Sequence, residues 1–150
     1  MNRRNFLGLG LGAVAVASLA PTTLSAVDFR ATKPKAWTAT KVDEAMKELF
    51  GTTTTSESKV KIKAPDIAEN GAVIPVTVSS KLAGSKVAIF QDANPEATVA
   101  VFTVPKGGII DYSIRIKMAK TGKVTAVVEA DGKLYSASKE VKVTIGGCGG

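Results

Sequence analysis

The sequence predicts a mainly β chain: an immunoglobulin-like antiparallel β-sandwich of about seven strands, preceded by one N-terminal α-helix. Three observations carry this. The hydrophobic period changes from helical to strand spacing at Lys59 and keeps the strand spacing afterwards. Turn-forming pairs (Asn70-Gly71, Ala83-Gly84, Asn94-Pro95, Gly107-Gly108 and Thr121-Gly122) punctuate that region at short, regular spacing. Asp131-Gly132 separates two apolar runs, which is the signature of a two-residue hairpin. With one Cys and one Trp the chain lacks the Cys…Trp…Cys core of antibody domains, so the likeness is one of plan alone.

In chain order, residues 1–26 read as an export signal. Arg3 and Arg4 open a twin-arginine signature, and an apolar Gly/Ala-rich run from Leu7 to Ala20 follows. That run is short of the roughly 20 apolar residues of a membrane span. Cleavage is expected after Leu24-Ser25-Ala26, leaving Val27 or a near neighbour as the new terminus and no membrane association. The processed protein is then expected in the periplasm. Residues 27–39, with Pro34 and Trp37, read as an irregular leader, Trp37 serving to anchor the next element.

Residues 40–145 read as the folded domain. Thr40 is the expected N-cap of a helix in which Val42, Ala45, Met46, Leu49 and Phe50 share one face, and Gly51 stops it. Val60 and Ile62 alternate with Lys59, Lys61 and Lys63, the solvated face of a strand and a guard against edge pairing. Ile74, Val76 and Val78 form the next strand, with Pro75 placing it at an edge or marking its beginning. Val87 and Ile89 lie in a short apolar strand. Thr98 to Val104 is apolar on both faces and is expected at the centre of a sheet. Ile110, Tyr112, Ile114, Ile116 and Met118 point one way along the clearest strand of all. Val124–Ala130 and Leu134–Ile145 complete the set around Asp131-Gly132.

Composition excludes several functions. Removing 26 of the 150 residues leaves 124, enough for a single core without disulfides. The net charge of +7 becomes +5 once Arg3 and Arg4 leave, carried by dispersed lysines with few aromatics among them. Nucleic-acid binding wants clustered charge and stacking rings, so no nucleic-acid partner is expected. The chain has no His and a single Cys. Ser–His and Cys–His catalysis are therefore impossible within it, and no set of soft ligands exists for zinc or copper. It is expected to be no enzyme and to hold no cofactor.

What remains is the tail. Gly146-Gly147-Cys148-Gly149-Gly150 carries the only thiol between paired glycines. Without Cβ atoms the segment is slender and cannot pack into a core by its own side chains. Val141, Val143 and Ile145 share a face and are expected to anchor it. Cys148 lies three residues beyond Ile145, a reach of roughly 10 Å at ~3.3–3.6 Å per residue. A lone cysteine in an oxidising compartment implies an intermolecular bond or a reactive site. With no His beside it, activation would come from the site the tail enters. Gly146 to Gly150 thus reads as a swinging arm that presents Cys148 for covalent attachment of a substrate. Two other readings stay open: a sulfur carrier using a C-terminal Gly-Gly thiocarboxylate, and a structural β-domain dimerising through Cys148. A thiol–disulfide oxidoreductase would need a Cys-x-x-Cys pair that is missing.

The segment Val143-Thr144-Ile145-Gly146-Gly147-Cys148-Gly149-Gly150, with Glu69-Asn70-Gly71-Ala72, Asn94-Pro95, Ser113-Ile114-Arg115-Ile116-Lys117 and the twin-arginine signal, resembles the SoxY family. These are sulfur-carrier subunits of the bacterial thiosulfate-oxidising Sox system. The resemblance implies that Cys148 carries sulfur intermediates as covalent adducts. It also implies a SoxZ-like β-sandwich subunit as heterodimer partner. The implied enzymes are a haem-containing thiosulfate-coupling enzyme, a manganese-dependent sulfate hydrolase and, where present, a molybdenum–haem sulfane dehydrogenase. A cofactor-free chain with a twin-arginine signal is then expected to fold before export and to take its partner subunit with it.

Overall fold

A computed structural model describes residues 27–145. Its longest regular feature is the hairpin of β7 (Gly122–Ala130) and β8 (Lys133–Val143). Asp131 and Gly132 have φ of 51° and 69°, the left-handed pair that a twist-matched two-residue turn demands. The pairing runs in unbroken register from Ala130 opposite Lys133 to Gly122 opposite Val141.

Two sheets stack around this hairpin. The larger contains β2 (Ile67–Ala68), β8, β7, β4 (Lys86–Gln91) and β5 (Thr98–Thr103) in that spatial order. The smaller contains β1 (Val60–Lys63), β3 (Ile74–Ser80) and β6 (Ile110–Ile116), with β3 in the middle. Ile74, Val76 and Val78 of the small sheet meet Val87, Ile89, Val124, Ala126, Val128 and Val141 of the large one, forming the main core. The predicted mainly β, immunoglobulin-like sandwich is thus the fold. Eight strands form where about seven were expected, and β2 pairs with β8 in parallel, Ile67 opposite Lys142 and Ala68 opposite Val143.

A helical layer covers the outer face of the large sheet. The predicted helix is Val42–Phe50, closed by Gly51 in the left-handed conformation (φ 78°), whose N–H bonds the Lys47 carbonyl. Its cap is Lys41 rather than Thr40, and no side chain bonds the exposed N–H groups there. Ala45, Met46 and Leu49 pack with Ala88, Phe90, Val127 and Leu134 into a second core. Phe90 is fully buried, worth about 2–3 kcal/mol of apolar transfer.

The expected irregular leader is helical. Phe29–Thr32 forms α1, capped by the Asp28 carboxylate, which accepts from the N–H groups of Arg30 and Ala31. Pro34–Thr38 forms α2, with Pro34 in the first turn where its missing N–H costs nothing. Val42–Phe50 is therefore α3. Trp37 packs beside α3 as anticipated, under the Arg30 guanidinium at 4.3 Å.

Thr98–Thr103 is not central; β5 closes one edge of the large sheet. Both of its faces are apolar because each is covered by a different layer. Val101 packs toward the helices, whereas Phe102 stacks on Tyr112 of β6 at 4.7 Å inside the sandwich. Pro75 sits at the beginning of β3 and not at an edge. It faces Arg115 of β6, while the β1 pairing of β3 stops at Thr77 opposite Lys63. Lys59, Lys61 and Lys63 are exposed along the edge strand β1.

Candidate functional site

Arg3, Arg4, Gly146, Gly147, Cys148, Gly149 and Gly150 lie outside the described residues. The structure instead defines the base from which the tail leaves. Val141 of β8 is completely buried, and Val143 is partly buried against the same core. Ile145 continues their face in sequence but is 69% exposed. Its side chain therefore does not anchor the tail as expected; its backbone does.

That backbone anchorage is extensive. Lys142 N–H donates to the Asp66 carbonyl (2.9 Å) and Thr144 N–H to the Ala68 carbonyl (3.1 Å), which extends the parallel pairing with β2. On the other side Val143 N–H donates to Thr121 Oγ1 at 2.9 Å. The Ile145 carbonyl accepts from Gly71 N–H at 2.8 Å, and the Gly71 carbonyl accepts from Met118 N–H at 2.8 Å. Gly71 thus ties Ile145, two residues past β8 of the large sheet, to Met118, two residues past β6 of the small one. The loop around it is set by Asn70, whose Oδ1 accepts from Ala72 N–H at 2.9 Å. Thr144 Oγ1 adds a bond to the Glu69 carbonyl. Lys139 Nζ bonds the Ala64 carbonyl at 2.6 Å and pairs with Asp66 at 3.0 Å, fixing the approach to β2.

The described chain is thus held up to its last residue, Ile145, and the five glycine and cysteine residues follow it in sequence. Sequence reasoning marked Asn70-Gly71 only as a turn and did not connect it to the tail. The bonds are made by backbone groups, which leave no side-chain signature. The adjacent Glu69-Asn70-Gly71-Ala72 stretch was the one available pointer.

Residues 46–148 match the family model described as sulfur oxidation protein SoxY. The chain belongs to the SoxY family. Among solved structures, the sulfur carrier protein SoxY from Chlorobium limicola f thiosulfatophilum is 45% identical, with a TM-score of 0.65, over 73% of this chain and 96% of that one. A superoxide reductase (neelaredoxin) from Ignicoccus hospitalis is 20% identical with a TM-score of 0.52, over 57% of this chain and 80% of that one. At that identity it shares the sandwich fold alone. A comparison with curated proteins finds no match. The sandwich with its tied-down β8 end is accordingly a SoxY fold, that of a sulfur carrier within a sulfur-oxidising system.

Proposed function

We propose that this SoxY-family chain is a periplasmic carrier of thiosulfate oxidation, exported through Arg3 and Arg4, with sulfur intermediates held on Cys148. The observation that carries the reading is that the only thiol of a sulfur-carrier family member lies three residues past a rigid backbone anchor. The matched span also runs to residue 148. A domain without His or a second Cys must leave the bond chemistry to other proteins and can hold the cargo only at this sulfur.

In this reading the Cys148 thiolate and thiosulfate join through a new S–S bond, giving a cysteine S-thiosulfonate. Two electrons leave to a haem-containing coupling enzyme. Water then cleaves the terminal S–S bond at a manganese-dependent hydrolase, releasing sulfate and two protons and leaving a persulfide on Cys148. A molybdenum–haem dehydrogenase, in hosts that have one, oxidises that sulfane sulfur before a second hydrolysis frees the thiol. A SoxZ-like subunit completes the carrier as a heterodimer. The chain itself contributes the thiol, the reach and the slender profile.

Intact-mass analysis of the carrier from thiosulfate-grown cells will find sulfur-containing additions on the C-terminal peptide that a reductant removes. An unmodified thiol throughout turnover would sink the proposal. The arm's slimness is testable separately. Gly147→Trp and Gly149→Trp will each slow transfer about tenfold or more, because small misplacements of a reacting group are costly. The melting temperature is expected to stay near that of the parent, since the described backbone bonds already hold the sandwich together through Ile145. Equal transfer in both variants would mean that the glycines serve some purpose other than access.

A further inference from the structure

Three of the large apolar side chains that stand exposed on the described chain surround the point where the tail leaves it. Ile145 is 69% exposed, Ile67 58% and Val73 53%. Their proximity follows from the hydrogen bonds of the anchor. Ile67 lies beside Lys142 in the β2–β8 pair, three strand residues or roughly 10 Å back from Ile145. Val73 is two residues beyond Gly71, whose N–H holds the Ile145 carbonyl. The core does not use them: Ala68 and Val141, their neighbours on the inner face, are buried in their stead. Lys117, Lys120 and Lys142 are exposed in the segments bonded to the same base, against the carboxylates of Glu69 and Asp66, the latter paired with Lys139.

The length of the tail determines what must cover this patch. Three residues lead from Ile145 to Cys148, so the cysteine backbone stays within about 10 Å of the base however the tail points. An enzyme that takes the thiol into a cleft has to bring its own surface over Ile67, Val73 and Ile145. We propose that these three residues are the docking patch on which the lip of each receiving enzyme's cleft seats. That lip is apolar, with acidic groups beyond it facing Lys117, Lys120 and Lys142. The inference rests on the reading of Cys148 as a thiol that enters partner enzymes. Apolar contact is non-directional, so one small patch can serve several enzymes in turn. An interface this small also suits brief visits.

The test uses the carrier isolated from its host and the haem-containing thiosulfate-coupling enzyme, with the Cys148 adduct followed by mass. The double variant Ile67→Asp/Val73→Asp is compared with Ile109→Asp. Ile109 is 83% exposed and adjoins the beginning of β6, the end of that strand remote from Met118 and the anchor. The double variant is expected to raise KM for the carrier about tenfold, as loss of a central contact does, with kcat at saturation little changed. Its melting temperature and its rate of alkylation by iodoacetamide are expected to match the parent, and Ile109→Asp to leave KM unchanged. A parental KM in the double variant overturns the docking patch alone, provided Cys148 still loads. An equal rise in KM for Ile109→Asp overturns it as well. So does loss of the partner subunit from the double variant in gel filtration, which would assign the patch to the permanent heterodimer. A parent carrier that never acquires an adduct overturns the underlying reading of Cys148.

Discussion

A Cys148→Ser carrier will leave incubation with thiosulfate and the coupling enzyme at its unmodified mass, and a pathway reconstituted with it will release no sulfate above background. The effect is expected to be complete because the step forms a sulfur–sulfur bond. A serine hydroxyl can neither supply the second sulfur nor ionise near neutral pH. Nothing else in the chain can substitute, since the sequence has no other cysteine. The fold should be indifferent: the last described backbone bond to the sandwich is made at Ile145. A serine variant with parental melting temperature and no cargo therefore isolates the chemistry from the scaffold. The same variant separates the competing readings. A carrier that used a C-terminal thiocarboxylate would keep its activity, and a domain that merely dimerises through Cys148 would lose its disulfide without any effect on thiosulfate turnover.

The sequence exposed the parts of this molecule that depend on side-chain pattern. Val42, Ala45, Met46 and Leu49 announced α3, and the same residues face the second core. Asp131-Gly132 announced the hairpin, and both residues adopt the required positive φ. Cys148 stood out because composition made it unique. Elements of four or five residues are too short to establish a period, so α1 and α2 were missed. The Asp28 cap and the first-turn position of Pro34 were nevertheless legible signals. The two residues of β2 have no pattern at all; their pairing is decided by β8, some 75 positions further on. Thr98–Thr103 shows a different limit. Apolar residues on both faces report that both faces are covered, not how many strands flank them, and here the helical layer supplies the second cover. The base of the tail was hidden for a third reason, because Gly71, Ala68 and Asp66 hold it through backbone atoms that any residue possesses.

Gln91→Leu will destabilise the sandwich by about 2–4 kcal/mol and lower its melting temperature by about 10 °C or more, although the substitution is close to isosteric. Gln91 ends β4 and is wholly buried. Its Oε1 accepts from Ala93 N–H at 2.6 Å and Asn94 N–H at 2.7 Å, and its Nε2 donates to the Glu96 carbonyl at 2.6 Å. One side chain thereby satisfies three backbone groups of the turn that carries the chain from β4 to β5. Leucine would gain roughly 1–2 kcal/mol of apolar burial. Against that, it would leave two N–H groups and a carbonyl without partners at about 1–3 kcal/mol for each that stays dry. The loss should also spread. Asn94, positioned by this turn, donates from Nδ2 to the Lys117 carbonyl at 2.8 Å and accepts at Oδ1 from Ala119 N–H at 2.9 Å. Lys117 and Ala119 flank Met118, whose N–H holds Gly71 and through it the base of the tail. The Gln91→Leu protein is thus expected to lose amide protection at Gly71 and Met118 along with its melting temperature. Circular dichroism on heating and hydrogen exchange measure the two effects. A variant that melts within about 3 °C of the parent would mean that water reaches the orphaned groups and that the buried amide is not what holds this turn.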